Sequence, residues 1–216
     1  METKKYKLTE ETINVGDKTL HRIEALRDFS DVKKGDKGGY IEKEENLSQN
    51  GNCWVYDDAM VYGSARVFGN AIVYLHAVVC DNAVVCGKAI ISGNATIFGN
   101  ANVHGDAKVY DEAKVYGDAW VYGTAEVYGN ARIYGNAEIC GDAEIASNSD
   151  YIVFKNWWSS GRYFTWTKGN DMWKVGFFYG TGEELIEEAY EDSEKTGEEY
   201  ERVVKYVESI IVNGTI

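Results

Sequence analysis

The sequence predicts a mainly β fold: a parallel β-helix with a β cap before it and a small α+β domain after it. Three observations predict this. A six-residue unit repeats fifteen times from Val55 to Glu144 without an insertion. Residues 1–40 hold short strand-like stretches outside that period. Residues 146–216 combine aromatic strand-like stretches with two helix starts. The expected units are therefore 1–40, 41–145 and 146–216.

The consensus unit is Val-Tyr-Gly-Asn-Ala-x, as in Val127-Tyr128-Gly129-Asn130-Ala131-Arg132. All fifteen first positions are Val or Ile and all fifteen fifth positions are Ala. Strand side chains alternate between faces. In Ala131-Arg132-Ile133-Tyr134, Ala and Ile thus point inward while Arg and Tyr point outward. Eleven third positions are Gly and ten fourth positions are Asn or Asp, residues that tolerate the left-handed backbone of a sharp corner. Three strand-and-corner sides close an 18-residue coil, so the fifteen units make five coils. A fixed short period of this kind marks a stacked solenoid.

The pattern resembles the hexapeptide-repeat family of left-handed parallel β-helices, in which an aliphatic and a small residue recur every six positions. The resemblance covers residues 55–144. It implies the left-handed winding, since parallel crossovers are otherwise right-handed, and it favours a trimer. The register extends backwards, with Cys53, Leu47 and Ile41 in the small-residue slot, as a degenerate first coil over 41–54.

In residues 1–40, Lys5–Leu8, Thr12–Val15 and Leu20–Leu26 read as short strands, with Gly16-Asp17 as a turn. Asp36-Lys37-Gly38-Gly39 is expected to turn the chain into the first coil. An open solenoid end exposes strand edges, so this unit reads as a cap. After the repeats, Tyr151–Trp158, Arg162–Lys168 and Asp171–Phe178 read as a three-stranded sheet. Two helices follow, each opened by a Thr-Gly-Glu-Glu capping box at Thr181 and Thr196. More loosely, Arg22–Leu26 with Gly38–Glu42, and Val175–Thr181, resemble phage-associated and bacterial hexapeptide-repeat proteins of unassigned activity. That resemblance implies a phage or prophage source.

The formal net charge is −13, with 5 basic against 11 acidic residues in the repeats. Such acidity argues against a grip on nucleic-acid phosphates. No apolar run reaches the ~20 residues that span a bilayer. The start lacks the apolar stretch of a signal peptide, so a cytoplasmic protein is expected. The four Cys lack metal-ligand spacing and read as reduced thiols. No metal site and no cofactor is expected.

Candidate chemistry lies in departures from the repeat. Hexapeptide acyltransferases, by resemblance, use a catalytic His as general base. His104 and His76 sit in intact repeats with no adjoining insertion, so no catalytic residue is assigned. The outward second position is mostly aromatic, and every third member stacks, as in Tyr62, Cys80, Phe98, Tyr116 and Tyr134. The outward sixth position is mostly polar, yet Ile72, Val78, Val84 and Ile90 are consecutive members. Leu75 replaces a corner Gly in the same zone. Clustered exposed aliphatics suggest a covered surface, here an oligomer interface. Four of the six Trp fall between Trp157 and Trp173 among Lys155, Arg162, Lys168 and Lys174. Aromatic planes with cations can hold a base and phosphate, so Arg162, Trp166, Trp173 and Lys174 form the candidate ligand site.

The expected function is a non-catalytic scaffold that oligomerises and presents its terminal modules. The alternatives are a phage counter-defence protein that sequesters a small nucleotide or blocks a host protein, a DNA-mimicking inhibitor, and an acyltransferase. Outward Lys88, Lys108, Lys114 and Arg132 interrupt the negative face and weigh against the mimic.

Overall fold

The computed structural model describes residues 4–157 and 160–212. From Trp54–Val55 to Glu144–Ile145, sixteen two-residue strands recur at the six-residue period. Residues eighteen apart lie side by side, which sorts the strands into three parallel ladders. Ile72, Ile90 and Lys108 neighbour one another on the first face. Val78, Thr96 and Lys114 do so on the second, and Val84, Asn102 and Trp120 on the third. The first ladder has six strands, so the chain winds through six coils. The inward Val, Ile and Ala of the repeats are sealed from solvent, none above 1% exposed.

Corners explain the Gly-rich third position. Gly87 has φ +69°, and a Cβ added there would lie 2.8 Å from the Gly105 backbone nitrogen of the next coil. Corner backbones thus stack closer than a side chain permits. Outside, aromatic rings stack along the ladders. Phe98 lies on Tyr116 (4.8 Å, 7°) and Tyr116 on Tyr134 (5.5 Å, 16°), with Tyr110 on Tyr128 (5.2 Å, 5°). Each such pair adds roughly 0.2–1 kcal/mol between coils.

At the corners the backbone–backbone hydrogen bonds between coils run one way. The earlier coil's N–H donates to the later coil's carbonyl, as in Asn70 to Gly87, Asn100 to Gly117 and Asp118 to Gly135. The first coil is therefore left with spare carbonyls and the last with spare N–H groups.

The N-terminal unit is a hairpin, Tyr6–Val15 and Lys18–Ala25, with a register shift between Leu8 and Thr12. The two short strands expected at 5–8 and 12–15 are thus one long strand with an irregularity. Lys37–Ile41 pairs antiparallel to the hairpin and parallel to Met60–Val61, so the cap continues one solenoid face. The expected turn at Asp36–Gly39 is mostly strand. Gly38 and Gly39 are needed there for closeness, since an added Cβ would lie 2.4 Å from the Val55 and Ala59 carbonyls, respectively.

Ile41 pairs with Val61 and Leu47 with Val67, offsets of twenty rather than eighteen. These two therefore occupy the aliphatic slot, not the small-residue slot expected for them. Their bulk suits the wider position, and the two extra residues are taken up before Cys53, whose N–H bonds to Gly69 at 2.9 Å.

The C-terminal unit is a four-stranded antiparallel sheet, Tyr151–Lys155, Tyr163–Thr167, Met172–Val175 and Phe178–Gly180. Sequence reasoning expected three strands. Gly176, at φ +58°, turns the chain inside what reads as one apolar run and creates the fourth. Trp158, expected at the end of the first strand, lies outside the described residues. Helix α1 (Gly182–Asp192) starts at the Thr181 capping box as expected. Helix α2 (Glu194–Val212) starts earlier than the Thr196 box. The Thr196 N–H bonds to the Ser193 hydroxyl at 3.1 Å, so Ser193 takes the capping role and Thr196 lies within the first turn.

The tight corner stack yields a paired test. Gly87→Ala and Gly135→Ala both carry left-handed strain, but nothing lies within 4 Å of a Cβ at Gly135. Urea unfolding should show a loss of about 1–2 kcal/mol for Gly135→Ala. Gly87→Ala should lose about 2–4 kcal/mol, because a backbone overlap is added.

Candidate binding surfaces

The five aliphatic interface candidates form a belt. Ile72 and Ile90 are ladder neighbours on the first face, Val78 lies on the second and Val84 on the third. Each of these four is half-buried. Ile72 and Ile90 line a groove of about 350 Å³ with Tyr56, Tyr74, Asp31 and Asp57. The N-terminal unit supplies one wall, where the Tyr56 hydroxyl donates to Asp31 at 2.8 Å.

Leu75 turns the corner directly after Tyr74. It is 45% exposed and has φ +60°. The same corner in neighbouring coils is held by Asp57, Gly93 and Asp111, also at positive φ. Asp and Gly accept that backbone easily, whereas a leucine costs roughly 1–2 kcal/mol there. Its N–H is satisfied by the Asp57 carboxylate at 3.0 Å. That bond holds the corner but gives no reason for the side chain.

Arg162, Trp166, Trp173 and Lys174 are not brought together as one cleft. Trp166 and Trp173 are cross-strand partners, each 2% exposed, within the apolar cluster under the helices. The Trp166 indole N–H already donates to Asp171 at 2.8 Å. Lys174 follows Trp173 on a strand, so it faces the other way. It forms an ion pair with Glu138 of the solenoid at 3.7 Å and donates to the Gly176 carbonyl. Arg162 stands beside Gly176 and lines a cavity of about 10 Å³, which also meets Tyr200. That volume holds one water.

The sheet thus has two unlike faces. Phe164, Trp166, Trp173 and Val175 pack against Leu185, Tyr200, Val203 and Val204 of the helices. Thr165, Lys174 and Tyr179 face the last coil. Thr165 accepts from the Glu138 N–H at 3.1 Å, and Asn170 links Asp142 to Tyr179.

Two surfaces of this unit escaped sequence reasoning. Glu184, Glu187, Glu188, Glu191 and Asp192 of α1 line a broad cleft of about 970 Å³ beside Phe177 to Tyr179. Their three- and four-residue spacing was the available signal. A second groove of about 540 Å³ runs between Tyr151–Lys155 and α2, lined by Ile152, Phe154, Glu199, Arg202, Val203 and Tyr206. It joins segments far apart in sequence, so no local pattern marks it.

His104 stacks on Tyr122 at 5.0 Å and 7° and meets Trp120 edge-on at 5.7 Å. Partial burial holds its pKa below the usual imidazole value, which favours the neutral ring. His76 is exposed at a corner. Neither lines the grooves above. Among the described residues, no group of three or more His, Cys, Asp or Glu is placed to hold a metal ion. Among them also, no helix is long and apolar enough to cross a membrane.

The YdcK beta solenoid repeat family model matches residues 55–67 and 89–105. An Escherichia coli (strain K12) protein named uncharacterized acetyltransferase YdcK is 53% identical over 38 residues. That stretch is 18% of this chain and 12% of the relative's length. With its unbroken hexapeptide repeats and parallel ladders, the chain is a parallel β-helix similar over those residues to the YdcK solenoid repeat.

Proposed function

We propose that this chain is a non-catalytic β-solenoid scaffold that self-associates through the face carrying Ile72, Leu75 and Ile90 and holds its terminal modules at fixed positions. The observation that carries this reading is Leu75, an exposed leucine in a backbone conformation that suits Asp or Gly. A side chain kept at a local cost of that size needs a compensating contact, and the Ile72–Ile90 groove beside it extends the apolar surface. Val78 and Val84 continue the belt around the other faces. A trimer is the arrangement the hexapeptide-repeat resemblance favours. A phage or prophage source rests on the looser resemblance of the terminal segments.

Light scattering on the full chain should give a mass of three chains. Ile72→Asp combined with Ile90→Asp should reduce it to one chain while the circular dichroism spectrum stays unchanged. A wild-type chain that is monomeric throughout would remove the reading. Leu75→Gly separates strain from contact. It should raise the stability of the single chain by about 1 kcal/mol and weaken association at the same time.

A second reading, acyl transfer, draws on the name of the E. coli relative and on His104. A neutral imidazole is the protonation state that a general base requires. Under it, the protein turns over acetyl-CoA with an amine or hydroxyl acceptor, and His104→Ala abolishes the turnover. Under the scaffold reading, thiol release from acetyl-CoA stays at the buffer rate for both proteins.

A further inference from the structure

We propose that the groove between Tyr151–Lys155 and α2 binds a small organic ammonium ion with an apolar body, its charge held by the Glu199 carboxylate. Glu199 is only 8% exposed, and its Oε2 is buried without a hydrogen-bond partner. A buried carboxylate oxygen left unpaired is costly in a fold, more so than an unpaired neutral group. A candidate for neutralising it is Arg202, which lines the same groove. Its guanidinium instead pairs with Glu198 at 3.1 Å. Lys205, on the next turn, pairs with Glu201. Glu199 thus lines, beside Arg202, a groove whose other walls are mainly apolar, and its Oε2 lies closed off from solvent without a donor.

The remaining walls specify the ligand's body. Ile152 and Phe154 come from the sheet's edge strand, and Val203 and Tyr206 from α2. The groove, about 540 Å³, falls within the range of small-molecule sites and far exceeds one water. Two aromatic rings beside a carboxylate suit a cation, because ring faces attract positive charge. A hard divalent metal does not fit, since it demands six or more oxygen ligands and the groove offers one carboxylate. A phosphate or carboxylate ligand would be repelled by Glu199. An aliphatic or aromatic monoamine matches the apolar walls and the Glu199 carboxylate, with the Arg202 charge met by Glu198.

The probes are 2-phenylethylamine and its neutral counterpart 2-phenylethanol, titrated calorimetrically into the full chain. The amine should bind at least about tenfold more tightly than the alcohol, as a charge-assisted bond predicts. Glu199→Gln should remove that preference. Glu199→Met should abolish amine binding and raise the melting temperature, since an unpaired buried charge is replaced by an apolar chain of similar length. Equal affinity for amine and alcohol would overturn the proposal. So would unchanged amine binding in Glu199→Gln, or a lower melting temperature in Glu199→Met. Should the Glu199 variants fail to fold, Tyr206→Ala gives an independent reading, because Tyr206 is 65% exposed. It should weaken the amine severalfold, and undiminished binding would count against the site.

Discussion

The structure depends on the one-way hydrogen bonding at the solenoid corners. The backbone bonds between corners run from an N–H to the carbonyl of the following coil, so the stack has a carbonyl end and an N–H end, as a helix does. Each backbone group left unmade and buried costs about 1–3 kcal/mol. The two termini are built to meet opposite demands. At the start, donors arrive. The buried Lys5 ammonium reaches the Cys53 carbonyl at 2.8 Å, and the Tyr6 hydroxyl reaches the Leu47 carbonyl at 2.6 Å. At the finish, acceptors arrive. Asp150 takes the N–H groups of Ala146 and Ser147, Asn148 that of Arg132, and Thr165 that of Glu138.

Capping of this kind decides what the terminal modules have left to offer. The C-terminal sheet uses its polar face, Thr165 and Lys174 included, to close the last coil. Its apolar face is spent on α1 and α2. What remains is the outside of the helices and the seam between α2 and the edge strand, where the 540 Å³ groove lies. The solenoid interior is sealed Val, Ile and Ala, so recognition by the solenoid itself must use its outward positions. The aromatic ladders there already serve coil-to-coil stacking. The aliphatic belt is only half-buried by its ladder neighbours, and at its strained corner Leu75 is left exposed.

The repeat was legible because its period repeats the same requirements: aliphatic inside and Ala at the tight corner fifteen times, and Gly or Asp at fourteen of the fifteen corners where φ is positive, Leu75 being the exception. Errors appeared where two requirements competed. Ile41 and Leu47 keep the spacing of six yet sit two residues out of phase, because their bulk selects the wider slot. Gly176 cuts a run that hydrophobicity alone reads as continuous. Thr196 carries a capping box, but Ser193 three residues earlier captures its N–H first. The candidate ligand site shows a different failure. Trp173 and Lys174 are adjacent on a strand and must face opposite ways, a constraint readable in the sequence once the strand is assigned. Composition gathered them; alternation separates them.

Leu75 and Glu199 share a property: each is locally unfavourable, Leu75 at an exposed corner and Glu199 at the wall of a groove. Leu75 holds a left-handed backbone without the Asp or Gly that makes this easy. Glu199 holds a carboxylate oxygen out of water without a donor. Such disagreements between local preference and packing point to a second requirement acting on the same residue. The two differ in kind. A strained leucine is relieved by burying apolar surface, which a flat protein face supplies. An unpaired carboxylate in an apolar groove is relieved by one positive charge with a greasy body, which a flat protein face does not supply. On the readings proposed above, macromolecular association falls to the solenoid belt and small-molecule recognition to the α2 groove.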